Sequence, residues 1–189
     1  MSLKLHTIIC STRPGRIGPA VAGWFHEFAS EHGGFDAALV DLADFKLPVY
    51  DEPLHPRLGR YEHEHTKRWS ESVAAADAYV FVAPEYNFSP TPALVNALDF
   101  VYNEWNYKPC GFVSYGGVSG GLRAVQAARL HVTTLKMMPM VEGVAVPGVG
   151  GHMDENGGHF VSNDLVDDSA QALLDELLRW AGALKSMRG

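Results

Sequence analysis

Positions 78–92 of the sequence read AYVFVAPEYNFSPTP. The first six residues form a short, continuous apolar run, which is typical of a strand buried on both faces of a parallel sheet. The segment that follows contains three prolines, at positions 84, 90 and 92, and each proline stiffens the chain by fixing one backbone angle. This stretch therefore predicts a central strand followed by a rigid loop at the edge of a sheet.

Outward from this strand, segments with the hydrophobic period of a strand alternate with segments that have the period of a helix. Five strands are predicted, at residues 3–10, 35–42, 78–83, 110–114 and 140–146. Five helices are predicted, at residues 17–32, 60–76, 92–102, 122–136 and 164–185. Such alternation indicates an α/β fold in which helices cover both faces of a parallel sheet. The flavodoxin-like strand order 2-1-3-4-5 and a Rossmann order are both compatible with it, and in both the ligand binds at the carboxyl ends of the strands.

The composition restricts the class of protein. The chain has 189 residues, a net charge of −7 and 47% hydrophobic residues, which suits one globular domain over residues 1–189. The negative charge, without a Lys/Arg block, argues against nucleic-acid binding, and no apolar run approaches the roughly 20 residues of a membrane helix. The two cysteines, Cys10 and Cys110, are far apart in the sequence and form no C-x-x-C pair. A reducing, cytoplasmic location is therefore expected.

The first predicted strand is followed by STRPGRIG at positions 11–18. Hydroxyl, guanidinium and glycine residues are concentrated there, just before a helix whose N-terminus carries unpaired N–H groups and a partial positive charge. The loop therefore predicts an anion site, and phosphate is the usual anion at such a place. It matches neither the dinucleotide pattern G-x-G-x-x-G nor the P-loop pattern. An ordinary turn with solvated arginines is the alternative interpretation.

The loops after the third and fourth strands suit a flat ring. In the loop at positions 84–92, Tyr86 and Phe88 offer apolar surface, and backbone groups near Glu85 and Asn87 can form hydrogen bonds. The loop at positions 114–121 reads SYGGVSGG, and its glycines allow the backbone to approach a ligand closely. Taken separately, each segment could be an ordinary surface loop. Because three specialised loops follow three central strands, we expect one shared site.

Histidine is frequent, yet the sequence does not predict a metal site. His63 and His65 fall on a predicted helix, where residues two apart point to different sides and cannot share a tetrahedral centre. Residues 151–159 lack the calcium-loop pattern and are expected to form a polar loop before the last helix. The methionines at positions 137, 138 and 140 are expected to fill the core.

Three segments of the chain resemble the motifs of one family. They are STRPGR at positions 11–16, PEYNFSPTPALVNALD at positions 84–99 and SYGGVSGGLRA at positions 114–124. Their sequences and their order resemble the NADPH-dependent FMN reductase family, over about residues 3–146. The resemblance implies a flavodoxin-like fold with strand order 2-1-3-4-5, a bound FMN, and NADPH or NADH as the reductant.

The resemblance also implies roles for individual residues. The FMN phosphate is expected to be held by Ser11, Arg13, Arg16, Ile17 and Gly18. The isoalloxazine ring is expected to be lined by Pro84, Glu85, Tyr86 and Asn87, and its other edge to contact Ser114, Tyr115, Gly116 and Gly117. No catalytic side chain and no metal are expected, because the cofactor carries the chemistry.

The activity implied by the resemblance is hydride transfer from NADPH or NADH through FMN to a small acceptor, such as a quinone, a flavin, an azo compound or a metal oxyanion. Two alternatives stay open: a flavodoxin-type electron carrier, and a reductase that supplies reduced FMN to a partner monooxygenase. Family members are commonly dimers or tetramers, so a homodimer or homotetramer is expected. Trp105 and Tyr107 are candidates for the subunit boundary, with packing under the sheet as the alternative.

Overall fold

The computed structural model of the protein describes residues 2–188. Its centre is a parallel sheet of six strands, in which five follow the order 2-1-3-4-5 and the sixth pairs with the fourth. The strands are β1 (Leu3–Ile9), β2 (Phe35–Asp41), β3 (Ala78–Pro84), β4 (Pro109–Tyr115), β5 (Met138–Pro139) and β6 (Val144–Val146). The flavodoxin-like order is therefore confirmed, and the Rossmann order is excluded.

Helices cover both faces of the sheet. They are α1 (Gly18–His32), α2 (Leu42–Phe45), α3 (Glu64–Ala75), α4 (Pro92–Phe100), α5 (Leu122–Thr134) and α6 (Asp164–Leu184). Helices α1 and α6 pack together on one face, and α2 to α5 pack on the other. Helix α2 was not among the predicted helices, because its four residues are too short to show a period. Within residues 2–188, no helix combines the length and the apolar character that crossing a membrane requires.

The central strands β3 and β4 are buried along their whole length. Tyr79 and Phe81 point into the core beneath α2 to α5, whereas Val80 and Val82 point into the core beneath α1 and α6. Successive side chains of a strand point to opposite faces, so a strand covered on both faces has no position that water reaches. This is why the run at positions 78–83 carries no charged residue.

The carboxyl ends of β1, β3 and β4 lie side by side at one edge of the sheet, because β1 pairs with β3 and β3 pairs with β4. The pairing extends just beyond β1, where the N–H of Cys10 donates to the carbonyl oxygen of Val82 at 3.0 Å. The hydroxyl of Thr91 donates to the carbonyl of Cys10 and accepts the N–H of Leu94, which caps α4. The loop after β3 is thereby tied to the end of β1.

The predicted fifth strand, at residues 140–146, is wrong in its bounds. Two short strands, β5 and β6, replace it, and both pair with β4. Between these two strands, the guanidinium of Arg129 donates hydrogen bonds to the carbonyl oxygens of Met140 and Val141. Those carbonyls are therefore used by a side chain from α5, and the strand is interrupted there.

The helix predicted at residues 60–76 begins at Glu64, with His63 as its N-cap residue. The rings of His63 and His65 consequently stack, with centroids 5.2 Å apart, so the expectation that they point to different sides is wrong. Both rings approach Asp51. Among residues 2–188, no three His, Cys, Asp or Glu side chains are arranged to hold a metal ion.

The two candidates for a subunit boundary differ in their surroundings. Trp105 is fully buried, and its ring packs edge-on against the rings of Trp69 and Tyr79. Packing under the sheet is therefore its role, and the expectation that it forms a subunit boundary is wrong. Tyr107 is half-buried, and the ammonium of Lys136 lies 5.3 Å from its ring centre.

Lys108 is a buried cation at the opposite end of the sheet from the three loops. Its Nζ donates to the carbonyl oxygens of Val73 and Ala74, at the end of α3, and to the hydroxyl of Tyr79. A cation is favourable at a helix C-terminus, where the carbonyls carry partial negative charge. Burial, together with the nearby charge of Arg188, nevertheless lowers the pKa of Lys108 to about 8.

This lowered pKa predicts a specific dependence of stability on pH. Between pH 8 and pH 10.5 the unfolded chain keeps the Lys108 proton and the folded chain releases it, so this group makes folding more favourable as the pH rises. We expect the free energy of unfolding of the wild type, minus that of Lys108→Met, to increase by on the order of 3 kcal/mol over this range. Urea unfolding of both proteins at several pH values measures this difference in the free energy of unfolding. A difference that does not change with pH would contradict the lowered pKa of Lys108.

Candidate functional site

The loops after β1, β3 and β4 enclose one small cleft, which we call the three-loop cleft. Its volume is about 160 Å³, and its lining residues are Arg13, Arg16, Ile17, Pro84, Glu85, Tyr86, Tyr115, Gly116 and Val149. Sites that enclose a whole cofactor-sized ligand are usually about 300–1,000 Å³ in volume. A cleft of this size can enclose only part of a cofactor-sized ligand.

The first loop offers a set of unused donors. Within the described chain, the backbone N–H groups at positions 12, 13, 15, 16 and 17 donate to no protein acceptor. Arg13 is exposed, and within residues 2–188 the one hydrogen bond of its guanidinium is a 3.5 Å bond to the carbonyl oxygen of the next residue. Unpaired N–H groups before a helix, together with a free cation, form a binding site for an anion such as a phosphate.

Arg16 is bound differently from Arg13. Its two terminal nitrogens donate to the two carboxylate oxygens of Asp41 at 2.7 and 2.6 Å, and it also donates to the carbonyl of Ser11. Asp41 ends β2 and caps α2 by accepting the N–H of Ala43. Arg16 therefore fixes the shape of the first loop against β2, and Asp41 balances its charge.

The first loop packs tightly on the end of β4. Ser11 is fully buried, and its hydroxyl accepts a 3.4 Å hydrogen bond from the hydroxyl of Tyr115. A Cβ added at Gly18 would lie 2.2 Å from the Ser11 Oγ and 2.8 Å from the Tyr115 hydroxyl oxygen. Gly18 is thus required because Ser11 and Tyr115 occupy the space of a side chain. Burial raises the pKa of the Tyr115 hydroxyl, which keeps that group protonated.

The second loop contains a tight turn over residues 86–89. Tyr86 and Ser89 exchange two backbone hydrogen bonds of 3.0 Å, and the residues between them, Asn87 and Phe88, have φ of 51° and 66°. Positive φ at both central positions is typical of a type I′ turn, which favours Asn followed by Gly. A phenylalanine in this conformation stores strain of about 1–2 kcal/mol. Phe88 is nevertheless 67% exposed, and its ring packs against the guanidinium of Arg123.

The carboxylate of Glu85 joins the second loop to the third. One of its oxygens accepts from the Arg123 side chain, and the other accepts from the Ser119 hydroxyl and the Arg123 N–H. Burial by itself would raise the pKa of Glu85, but the hydrogen bonds from Arg123 and Ser119 outweigh burial and hold this pKa below its ordinary value. Glu85 is therefore a buried carboxylate in its charged form.

The third loop is anchored from below. The Ser114 hydroxyl is buried and donates to the carbonyl oxygens of Gly120 and Val144. Gly121 has φ of 84°, and a Cβ there would lie 2.8 Å from the Ser114 Cβ. From the segment after β6, the N–H of Val149 donates to the Gly116 carbonyl at 3.1 Å. The loop is thus held rigidly from both sides.

Eight of the thirteen predicted site residues line the three-loop cleft. The other five are Ser11, Gly18, Asn87, Ser114 and Gly117. Three of these are buried beneath the loops, whereas Asn87 and Gly117 lie exposed above them. Ser11, Ser114 and Gly18 therefore support the cleft from beneath. A sequence motif does not distinguish residues with this supporting role from residues that contact a ligand.

Three residues with a part in the site were not singled out from the sequence. Asp41 pairs with Arg16, Arg123 pairs with Glu85, and Val149 lines the cleft. Arg123 falls within the segment at 114–124 that carries the resemblance, but nothing in that motif marks it as a site residue. Each of the three reaches the cleft through a tertiary contact, so no local pattern marks it.

The donor set and the shape suit FMN. A phosphate matches the unpaired N–H groups and Arg13, while a flat ring matches the aromatic and glycine residues that also line the cleft. Gly117, in the third loop, has an N–H without a protein acceptor in the described chain, so it is available to the edge of a ring. The N–H of Gly116 is not available, because it donates to the Val146 carbonyl.

Comparison with known proteins gives consistent matches. Residues 3–150 match the family described as NADPH-dependent FMN reductase. An NAD(P)H-dependent FMN reductase of Schizosaccharomyces pombe is 40% identical over 160 residues, which cover 77% of this chain and 80% of that protein. A quinone reductase of Pseudomonas putida is 31% identical over 148 residues, covering 75% and 76% of the two chains.

A solved structure is similar in fold. It is FerB, a flavoenzyme NAD(P)H:(acceptor) oxidoreductase from Paracoccus denitrificans. The TM-score is 0.72 at 21% sequence identity, and the match covers 96% of this chain and 98% of that chain. At this identity the similarity concerns the fold.

The crowding at Gly18 predicts that a side chain at this position lowers stability. We expect Gly18→Ala to lower the free energy of unfolding by about 1–2 kcal/mol, because the added methyl overpacks Ser11 and Tyr115. Gly23→Ala, in the same helix, is the matched control, since a Cβ at Gly23 meets nothing within 4 Å. The control should gain about 0.5–1 kcal/mol from the higher helix propensity of alanine. Urea unfolding of both variants measures the difference, and equal effects would contradict the packing.

Proposed function

We propose that the three-loop cleft is the FMN site of a chain that belongs to the NADPH-dependent FMN reductase family. The protein is an FMN-dependent NAD(P)H oxidoreductase. The observation that carries the assignment of the cleft is its pairing of an anion site with a flat, glycine-edged wall across one small opening. We also propose that residues 1–189 form one FMN-binding domain.

The first loop is proposed to bind the phosphate. The N–H groups at positions 12–17 and the guanidinium of Arg13 supply the donors, and charge-assisted hydrogen bonds of this kind are the strong ones. Arg16 contributes by holding the loop against Asp41. Ser11 and Gly18 contribute through the packing beneath the loop.

The second and third loops are proposed to hold the ring. Pro84, Glu85 and Tyr86 form one wall with Tyr115 and Gly116 beside it. The N–H of Gly117, which has no acceptor within residues 2–188, is proposed to donate to the edge of the ring. A preorganised donor at that edge favours negative charge on the bound group. When bound, FMN supplies the ring that takes up hydride from the nicotinamide and passes reducing equivalents on.

The acceptor is proposed to be a small planar compound such as a quinone. The cleft encloses too little volume to cover a whole cofactor, so one face of the ring stays accessible to the nicotinamide and then to the acceptor. The quinone reductase of Pseudomonas putida supports this class of acceptor. The matched relatives are named as reductases, which favours the enzyme over an electron carrier.

The function is tested with purified protein, FMN and NADPH. The protein should retain FMN or gain NAD(P)H oxidation when FMN is added, and under anaerobic conditions NADPH should bleach the flavin absorbance. Protein that neither retains FMN nor oxidises NAD(P)H in its presence would contradict the proposal. A panel of acceptors then ranks quinones, azo compounds and metal oxyanions. Flavin that dissociates readily once reduced would instead favour delivery to a partner monooxygenase.

A substitution in the first loop separates phosphate binding from ring binding. We expect Arg13→Ala to weaken FMN binding roughly tenfold, because one charge-assisted contact to the phosphate is lost. Riboflavin, which lacks the phosphate, should bind the variant and the wild type equally. Arg179→Ala is the control, since Arg179 is an exposed arginine paired with Glu176 on α6. Flavin fluorescence titration gives the dissociation constants of FMN and riboflavin. Equal weakening for both flavins would contradict the assignment of Arg13 to the phosphate.

We propose in addition that the protein is a homodimer or homotetramer in the cytoplasm. The face between α4 and α5 supports self-association, because it holds an open groove of about 350 Å³ bordered by Leu98, Leu130 and Leu135. Leu130 is 74% exposed there, and we propose that a second subunit covers this apolar side chain. Both cysteines are buried free thiols, which fits a reducing compartment.

This interface predicts opposite outcomes for two exposed leucines. We expect Leu130→Glu to convert the oligomer to monomers, because a charge would be buried at the contact. Leu165→Glu places the same charge on α6, at a leucine of similar exposure, and should leave the assembly intact. Sedimentation velocity measures the mass, and the assignment fails if Leu130→Glu assembles like the wild type.

A further inference from the structure

We propose that Arg123 is a positioning residue that neutralises Glu85 beside the bound ring and thereby raises the reduction potential of the bound flavin. The inference rests on the proposed function, since it assumes FMN in the three-loop cleft. Arg123 does not line the cleft, whereas Glu85 does. Its influence on the ring therefore passes through Glu85.

The two side chains of the Arg123–Glu85 pair differ in their exposure to solvent. The side chain of Glu85 is 6% exposed and that of Arg123 is 48% exposed, so the carboxylate is the buried partner. Both of its oxygens are occupied, by Arg123 and Ser119. Glu85 is consequently a fixed charge of the cleft wall and has little capacity left to accept a hydrogen bond from a ligand.

Arg123 is the cation that balances this charge. Among the ion pairs of residues 2–188, Glu85 is paired with Arg123 alone. The other cations at the cleft are Arg13, which is proposed to bind the phosphate, and Arg16, which is paired with Asp41. Without Arg123 the carboxylate would face the ring uncompensated, and negative charge next to a group that takes up electrons opposes its reduction.

The same guanidinium also orients the turn at residues 86–89. Its central carbon lies 3.7 Å from the centre of the Phe88 ring, within the range of a cation–π contact. Phe88 has φ of 66°, a conformation that a bulky residue adopts only when its surroundings impose it. Arg123 thus contacts both the carboxylate of Glu85 in the cleft wall and the aromatic ring of Phe88 in the turn.

Four variants separate the charge effect from the packing effect. Arg123→Met removes the charge while keeping an apolar stem, Arg123→Lys keeps the charge without the planar stack, and Glu85→Gln removes the opposite charge. The double variant Arg123→Met/Glu85→Gln removes both charges. Arg179→Met on α6, where Arg179 pairs with Glu176, is the control. The readouts are the midpoint potential of bound FMN and the anaerobic rate of its reduction by NADPH.

We expect Arg123→Met to shift the potential to more negative values and to slow flavin reduction roughly tenfold, because a buried charge loses its partner. Glu85→Gln should shift the potential in the opposite direction. Arg123→Lys and the double variant should return the potential close to that of the wild type, and Arg179→Met should not move it. A purely structural role for Arg123 predicts no recovery in the double variant, and that result would overturn the inference.

The protein without FMN provides a second readout. Urea unfolding of Arg123→Met, Glu85→Gln and the double variant forms a double-mutant cycle. The cycle isolates the coupling free energy between the Arg123 and Glu85 side chains. A coupling near zero would overturn the inference even where a variant binds flavin poorly. Wild-type protein that fails to bind FMN overturns the proposed function itself. Wild-type protein that binds and reduces FMN, with an Arg123→Met variant of unchanged potential, overturns only this inference.

Discussion

The side-by-side pairing of β1, β3 and β4 is the constraint on which the site depends. Ile9 stands opposite Val82, and Pro84 stands opposite Tyr115, so all three strands end at nearly the same level. Three loops that are widely separated in the chain therefore meet around one opening. The pairing is maintained by burial, since β3 and β4 have no exposed residue, and a slip of one residue would exchange the two faces of each strand.

Around this opening, the protein uses two of its arginines to balance its own carboxylates. Arg16 is paired with Asp41, and Arg123 is paired with Glu85. Each pair also joins two elements, β2 to the first loop in one case and the second loop to the third in the other. What remains for an anion is Arg13 and a row of unpaired N–H groups. A chain with net charge −7 can thus present a local anion site, because binding depends on the donors at the site and not on the total charge.

The predictability of each part follows from the range of the interactions that form it. The run at positions 78–83 predicted β3 because burial on both faces leaves a strictly local, apolar signature. The fifth strand was misplaced because Arg129, on another element, binds the carbonyls that would have continued it. The stacking of His63 on His65 was missed because one residue decides whether His63 is in the helix or caps it. Helix ends are generally uncertain by one or two residues.

The α/β alternation and the three specialised loops can be recognised in the sequence alone, and the resemblance of its motifs identified the family. These features are visible because apolar periodicity, proline and glycine act over a few neighbouring residues. The packing of the folded chain was needed to distinguish the predicted residues that line the cleft from those that support it from beneath. It showed that Gly18 is required by the packing of Ser11 and Tyr115, and that Arg123 is tied to Glu85. Such roles depend on contacts between distant parts of the chain, and those contacts exist only once the sheet has formed.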